Sequence, residues 1–126
     1  MLATDHYEAA LDFARYNARA NTGREPETAL LDWHAPRTQG LGIFDLVLAA
    51  DVLYEERNVP ALADLVPALL APGGEVLFAD PRRKSAPIFL EAMEGRGFGR
   101  RSESALVRQA DREVAVALHR LRRVDP

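Results

Sequence analysis

The chain contains no cysteine, and several other scarcities each remove a class of function. Without cysteine, disulfides, thiolate metal sites and a cysteine nucleophile are all excluded. No apolar segment approaches the roughly 18 residues of a membrane-spanning helix. Met1–Asp5 reaches an acidic residue without any basic stretch, which is not the pattern of a signal peptide. We therefore expect a cytoplasmic protein that does not span a membrane.

Patterns for metal and phosphate chemistry are also missing. The three histidines, His6, His34 and His119, are scattered, and the aspartates fall on separate predicted strands. No metal site is therefore predicted. No serine lies in a nucleophile elbow, and there is no phosphate-binding loop.

The composition that remains is that of an ordinary globular domain. The 126 residues are 48% hydrophobic and 28% charged, so we expect a single domain over residues 1–126. The net charge of −3 hides an asymmetry, because residues 64–126 carry 11 basic and 9 acidic residues. Clusters such as Arg82-Arg83-Lys84 and Arg100-Arg101 favour a solvated face, with phosphate or nucleic-acid binding as the alternative.

Four short apolar runs each end on an aspartate. Such runs, separated by helical stretches, are typical of buried parallel strands that are covered on both faces. In an open α/β sheet, ligands bind outside the carboxyl ends of the strands. The pattern predicts carboxylates along one rim, suited to a ligand rich in hydroxyls, amines or positive charge. The runs are Leu2–Asp5, Ala29–Asp32, Val47–Asp51 and Val76–Asp80.

The segments between these runs predict helices, and the last third predicts a hairpin. From about Tyr7 to Ala20, a helical face is formed by Ala10, Phe13, Ala14, Asn17 and Ala18. Asp5 and Glu8 have the spacing of a capping box. Further helices are predicted over residues 57–70 and 86–96, followed by two antiparallel strands over residues 102–107 and 113–122.

Taken together, these residues resemble class I S-adenosylmethionine-dependent methyltransferases. The resemblance rests on Asp5 after a short strand, on Asp32-Trp33, on Phe44–Tyr54 and on Leu70–Gly74. It covers about residues 2–122 and implies an α/β, Rossmann-like methyltransferase sheet, mostly parallel with a C-terminal antiparallel hairpin. Within the family, Asp51-Val52-Leu53-Tyr54 is similar to the acid-x-x-aromatic motif of the protein-lysine methyltransferase branch.

One part of the family pattern has no counterpart. The first strand and its glycine-rich loop would lie before Met1, and no Gly-x-Gly occurs near the start of the chain. Because that strand is central in the family, its absence predicts a gap with exposed strand edges. Either the flanking strands close up, or a second copy fills the space, or the chain is a truncated product.

The resemblance also implies a cofactor, S-adenosylmethionine, and residues to bind it. Asp5 would accept hydrogen bonds from the ribose hydroxyls, a role compatible with capping the helix. His6 would lie beside that sugar, or simply at the surface. Asp32 and Trp33 would serve the adenine, although Trp33 fits a core position equally well. Ala50 completes the predicted cofactor-binding set.

Asp51 and Tyr54 are the residues predicted to carry the chemistry. Asp51 would hold a lysine ammonium and Tyr54 would line the substrate channel, while the alternative for Asp51 is a helix or turn cap. The predicted function is therefore an S-adenosylmethionine-dependent N-methyltransferase of the protein-lysine type, with a protein substrate.

Two alternatives stay open. One is a non-catalytic remnant that forms a homodimer through its exposed strand edges. The other is a nucleic-acid methyltransferase or RNA-binding module that uses the basic second half. Against the latter, the Asn/Asp-Pro-Pro-aromatic motif of amino-directed enzymes is replaced here by Ala50–Tyr54.

Overall fold

The computed structural model describes residues 1–124, which form six strands and three helices. Their order along the chain is the predicted one. No helix in this range is long and apolar enough to cross a membrane. The elements are β1 (Leu2–Asp5), α1 (Glu8–Thr22), β2 (Glu27–Leu30), β3 (Phe44–Ala50), α2 (Asn58–Leu69), β4 (Leu70–Asp80), α3 (Ala86–Gly95), β5 (Phe98–Gln109) and β6 (Arg112–Arg123).

The chain divides into two compact units, and the first is Met1–Gly42. In it β1 and β2 pair in parallel, from Leu2 opposite Glu27 to Asp5 opposite Leu30. α1 connects them, and it ends at Gly23, whose φ of 76° gives the left-handed conformation that glycine adopts without strain. Leu11 is the buried residue of this helix.

Two local predictions for α1 are wrong. Phe13 is 68% exposed instead of belonging to the buried face, because the helix turns Leu11 inward. The capping box of Asp5 and Glu8 is also not formed, since Tyr7 is the N-cap and no side chain caps the helix. Asp5 Oδ1 instead accepts the backbone N–H of Tyr7 at 3.1 Å.

The second unit begins at Ile43 and contains a four-stranded sheet in the order β3-β4-β6-β5. β3 and β4 are parallel, whereas β6 runs antiparallel to both β4 and β5. The predicted hairpin is confirmed and is longer than expected, because Gln109 pairs with Arg112 across a two-residue turn. Ala110 in that turn has a φ of 55°.

The helices α2 and α3 supply the core of this unit. Alternate residues of β4 are buried, among them Val76 and Phe78, each 1% exposed. The ring of Phe78 lies 5.3 Å from that of Phe89 in α3, centroid to centroid. Apolar burial of this kind provides most of the stabilisation of a small domain.

The other face of the sheet departs from the prediction of strands buried on both sides. Leu46 and Leu48 of β3 are 50% and 61% exposed. Leu48 is paired in register with Leu77, whereas Ala49 is paired with Phe78. Leu46, Leu48 and Leu77 therefore share the face opposite the Phe78 side, which we call the open face. β3 is an edge strand, because β4 is its one partner among residues 1–124.

The hairpin of β5 and β6 extends beyond the rest of the sheet. β6 pairs with β4 over Ala117–Arg122, while its pairing with β5 continues to the turn. In the part of β5 past this point, Leu106 is 72% exposed and Val107 is 48% exposed. None of the described residues in this two-stranded part is buried.

His119 is a buried titratable group at the centre of the sheet. It is 7% exposed, stacks on Phe78 with 5.9 Å between ring centroids, and pairs through Nδ1 with Ser102 Oγ at 2.7 Å. Burial lowers the pKa of His119 below its usual 6.5, although the nearby Asp80 charge acts in the opposite direction.

We expect this histidine to make stability pH-dependent. The unfolded chain takes up the proton at a higher pH than the folded chain, so stability is lost as pH falls from about 7 through the folded pKa. Urea unfolding at pH 7.5 and 5.5 should show a larger loss in the wild type than in His119→Gln. The extra loss of unfolding free energy in the wild type should reach at most about 1.4 kcal/mol per pH unit. Equal losses in the two proteins would contradict a lowered pKa of His119 as the cause.

Candidate functional site

The carboxyl ends of β3 and β4 lie side by side in the second unit. Ala50 is paired with Ala79, and the next backbone N–H, that of Asp51, donates to the Ala79 carbonyl at 2.9 Å. Asp51 has a φ of 49°, a left-handed conformation that costs free energy for a non-glycine residue. The sequence pattern of an apolar run followed by aspartate therefore brings Asp51 and Asp80 to neighbouring strand ends.

The Asp51 carboxylate binds the guanidinium of Arg83 in a bidentate pair. Arg83 Nε donates to Oδ1 and Nη2 donates to Oδ2, each at 2.9 Å. The hydrogen bond with Arg83 lowers the pKa of Asp51 and, in turn, raises that of Arg83. Both side chains are 45% exposed. At neutral pH the site is a charged carboxylate, open to solvent, that already holds a cationic nitrogen group.

Asp80 does not face a crevice, which corrects the prediction of a carboxylate at the rim. It is fully buried, and Oδ2 accepts the backbone N–H of Arg83 at 2.8 Å. Oδ1 has no hydrogen-bond partner among residues 1–124. The side chain closes the turn after β4, in which Arg82 has a φ of 68°, and thereby positions Arg83.

The loop after Asp51 is fixed by two buried polar side chains. Asn58 Nδ2 donates to the Val52 carbonyl at 3.1 Å, and Ser85 Oγ donates to the Leu53 carbonyl at 2.8 Å. Leu53 itself is fully buried. These bonds satisfy loop carbonyls that would be costly to leave unpaired. Tyr54, also in this loop, remains 49% exposed.

Arg83, Asn58 and Ser85 are the site residues that sequence reasoning missed. Asn58 and Ser85 stand at the starts of α2 and α3, where such residues usually indicate helix caps. No side-chain cap hydrogen bond forms at either helix, although Ser85 is the N-cap residue of α3. The side chains of Asn58 and Ser85 reach loop carbonyls instead. Arg83 belongs to the cluster Arg82-Arg83-Lys84, whose sequence favours a solvated face.

The first unit holds the residues predicted to bind the ribose and the adenine, which are Asp5, His6, Asp32 and Trp33. Asp5 is the last residue of β1, and its carbonyl accepts the N–H of Leu31 at 2.9 Å. Asp32 follows shortly after the end of β2, so both aspartates lie at the carboxyl ends of two paired parallel strands. Asp32 Oδ1 accepts the backbone N–H of His34 at 2.9 Å. Trp33, between them, is half-buried.

His6 and Ala50 complete the predicted set. His6 Nδ1 lies 3.6 Å from Asp5 Oδ1, and its ring is 3.9 Å from that of Tyr7, centroid to centroid. Ala50 is the last residue of β3 and is exposed. The structure thus brings together Asp5 with His6 in one unit and Asp51 with Asp80 in the other. Because Asp80 is buried, the predicted rim of four aspartates is wrong in that member, and a rim shared by Asp5, Asp32 and Asp51 stays a prediction.

Comparison with known proteins places this geometry in a family. The lysine methyltransferase family matches residues 1–96, which is most of the chain. No curated protein matches it.

Solved structures of several methyltransferases are similar to the chain. N-methyltransferase NodS from Bradyrhizobium japonicum WM9 is 20% identical with a TM-score of 0.72, covering 98% of this chain and 73% of its own. Precorrin-6y C5,15-methyltransferase from Geobacter metallireducens GS-15 is 15% identical with a TM-score of 0.69, and the match covers 98% of this chain and 66% of that protein.

The ribosomal protein L11 methylase from Lactobacillus delbrueckii subsp. bulgaricus is 22% identical, with a TM-score of 0.63, and the match covers 98% of this chain and 58% of that protein. At such identities the similarity to solved structures shows the fold alone, which is the α/β, Rossmann-like fold of the class I S-adenosylmethionine-dependent methyltransferases. The match over residues 1–96 shows the family: the chain belongs to the lysine methyltransferase family.

Proposed function

We propose that the chain is an S-adenosylmethionine-dependent N-methyltransferase that acts on a lysine side chain of a protein substrate. The observation that carries this proposal is the bidentate pair of Asp51 and Arg83. A carboxylate at the end of β3 that holds one cationic nitrogen group is suited to hold another, the ammonium of a lysine. Membership of the lysine methyltransferase family supports the same assignment.

The residues of the first unit fit the adenosine part of the cofactor. Asp5 uses Oδ1 for the N–H of Tyr7, whereas Oδ2 is not engaged by any residue within 1–124. Its side chain is 40% exposed, so Oδ2 is available to accept from ribose hydroxyls. His6, Asp32 and Trp33 are proposed for the sugar and the adenine, and Ala50 is proposed as a further cofactor contact. When bound, the cofactor supplies a methyl group on a positively charged sulfonium.

Asp51 is better suited to orient the lysine than to take its proton. Because Arg83 lowers the pKa of Asp51, this carboxylate is a weak base, and we assign the proton to solvent. Removal of water around the bound ammonium favours its neutral form, which is the nucleophile that methyl transfer requires. Tyr54 is proposed to line the channel through which the lysine enters, and positioning of this kind can supply a large part of the rate enhancement.

A non-catalytic homodimer is the second candidate function. The observation in its favour is the unpaired edge of β3 with Leu46 and Leu48 exposed, because such an edge is a template for pairing with another chain. Light scattering after size exclusion tests this candidate, and a monomeric mass would contradict it.

Calorimetric titration with S-adenosylhomocysteine tests the cofactor site. We expect measurable binding by the wild type and a dissociation constant about tenfold or more higher for Asp5→Asn, since a hydrogen bond to a charged group is worth about 1.5–3 kcal/mol. Asp111→Asn removes a charge at the exposed hairpin turn and should leave binding unchanged. Absence of binding heat at millimolar S-adenosylhomocysteine would reject the proposed methyltransferase function. An equal dissociation constant for the wild type and Asp5→Asn would reject the assigned role of Asp5.

A further inference from the structure

Arginine side chains line a pair of cavities on the second unit, away from the Asp51 carboxylate. One cavity, of about 390 Å³, surrounds Gly99 and is lined by Arg100, Arg101, Arg120, Arg122 and Arg123. A second cavity, of about 430 Å³, shares Arg101 and Arg120 and extends over Leu77 and Leu118 to Glu103. We call the two together the arginine groove.

The register of the sheet explains why these residues meet. Arg101 is directly opposite Arg120, and Gly99 is opposite Arg122. Leu77 of the open face is paired with Arg120. A Cβ at Gly99 would lie 2.9 Å from Val124 Cγ2, so the Val124 side chain packs directly against the glycine and adds apolar surface there. The groove therefore has a partly apolar floor and guanidinium groups along its length.

A single carboxylate orients two of the arginines. The Glu75 side chain is only 14% exposed; Oε1 is 2.9 Å from Arg120 Nη1, and Oε2 is 2.5 Å from Arg122 Nη2. A guanidinium group has five N–H donors, and Arg120 and Arg122 each use only some of them on Glu75. Each therefore keeps further N–H donors for another partner. Arg120 and Arg122 are thus held in place before any ligand arrives.

Contacts with neighbouring helices and strands hold two more arginines of the groove, Arg123 and Arg100, in position. Arg123 donates to the carbonyl of Pro67 at 2.7 Å, and its guanidinium lies 5.3 Å from the centroid of the Phe98 ring. Arg100 pairs with Glu94 at 3.1 Å. Neither of these arrangements uses all of the donors of the side chain.

The side chain of Arg101 differs from the others, because it forms no ion pair or hydrogen bond with any side chain or backbone group of residues 1–124. It faces Arg120 directly across the two strands, and like charges in that position are destabilising. In the described part of the chain, the five guanidinium groups of the groove have three carboxylates near them: Glu75 and Glu94 form ion pairs with them, and Glu103 lines the second cavity. An anionic ligand would offset this excess of positive charge.

We propose that the arginine groove binds an acidic segment of the polypeptide substrate, which rests on the proposed function. Guanidinium groups bind carboxylates in a bidentate manner, and the apolar floor suits the aliphatic parts of a peptide. No residue that lines the groove is aromatic, so the stacking that holds single-stranded nucleic acid is missing. Carboxylate side chains on a peptide therefore fit the groove better than a polynucleotide does.

The length of β4 sets the spacing between this segment and the methylated lysine. Leu77 and Glu75 precede Asp80 by three and five residues in β4, which corresponds to about 10 and 17 Å at roughly 3.3 Å per residue. Asp80 and Asp51 end neighbouring strands. The acidic residues of the substrate should accordingly lie about three to five positions from the lysine.

Fluorescence anisotropy with two labelled peptides tests the proposal. Both contain one lysine, and the third to fifth residues after it are glutamates in one peptide and glutamines in the other. We expect the wild type to bind the glutamate peptide about tenfold or more tightly than the glutamine peptide, less so as salt rises. Arg101→Glu should abolish that preference. Arg112→Glu, the same charge reversal at the exposed start of β6, should keep it.

Equal binding of the two peptides by the wild type would overturn the proposal, as would an unchanged preference in Arg101→Glu. Tighter binding of oligouridylate, lost in Arg101→Glu, would assign the groove to nucleic acid instead. Because the assay needs no turnover, preferential binding without methyl transfer would contradict the proposed function and still support an acidic-peptide site.

Discussion

Replacement of Asp51 by asparagine is expected to lower kcat/KM for a lysine-containing peptide about 10- to 100-fold. The amide keeps the shape of the side chain but loses the charge, and a charge-assisted hydrogen bond is worth about 1.5–3 kcal/mol. Because we propose that Asp51 binds the substrate lysine and not the cofactor, the dissociation constant for S-adenosylhomocysteine should not change. Methyl transfer from radiolabelled S-adenosylmethionine, measured over a range of peptide concentrations, checks both expectations.

Two further variants sharpen this experiment. Asp45→Asn removes an exposed carboxylate of β3 and should leave the rate unchanged. Arg83→Gln removes the cation that occupies Asp51, so the KM for the peptide should fall, because the lysine no longer competes with an internal guanidinium. A wild-type rate in Asp51→Asn would refute the acceptor role, and an unchanged KM in Arg83→Gln would refute the competition.

Replacement of Phe89 by alanine is expected to lower the free energy of unfolding by about 3–5 kcal/mol. The side chain is 1% exposed and packs on Phe78 at the contact between α3 and the sheet, where removal of the ring leaves a cavity. Phe13→Ala makes the same chemical change at a position that is 68% exposed and should alter stability by about 0.5 kcal/mol or less. Urea unfolding followed by circular dichroism measures both, and similar losses would contradict the described core.

The order of helices and strands could be predicted because it depends on local patterns. Each apolar run is bounded by turn or helix signals, and those signals are contained in a few neighbouring residues. Burial is a different matter. The run of β3 reads as a strand covered on both sides, yet Leu46 and Leu48 are exposed, because coverage depends on which elements pack on a face. In α1, Phe13 fits a helical period that the packing of Leu11 overrides.

The candidate site was predictable in part for the same reason. The position of Asp51 follows from the strand that precedes it, but its partner Arg83 lies 32 residues away. Nothing in the local sequence distinguishes Arg83 from its neighbours in the basic cluster. Asp80 follows the same pattern as Asp51 and yet is fully buried, because the turn after β4 folds back over it and donates the Arg83 N–H.

The far part of the β5–β6 hairpin has a consequence for how the molecule opens. Beyond the pairing of Asp80 with Ala117, β5 and β6 pair with each other and with no third strand from residues 1–124. An isolated pair of strands is marginally stable in water. This ribbon can therefore separate and re-form while the layer beneath α2 and α3 stays intact. Exchange of the backbone amide hydrogens in this part of the hairpin would then report local opening of the two strands instead of global unfolding.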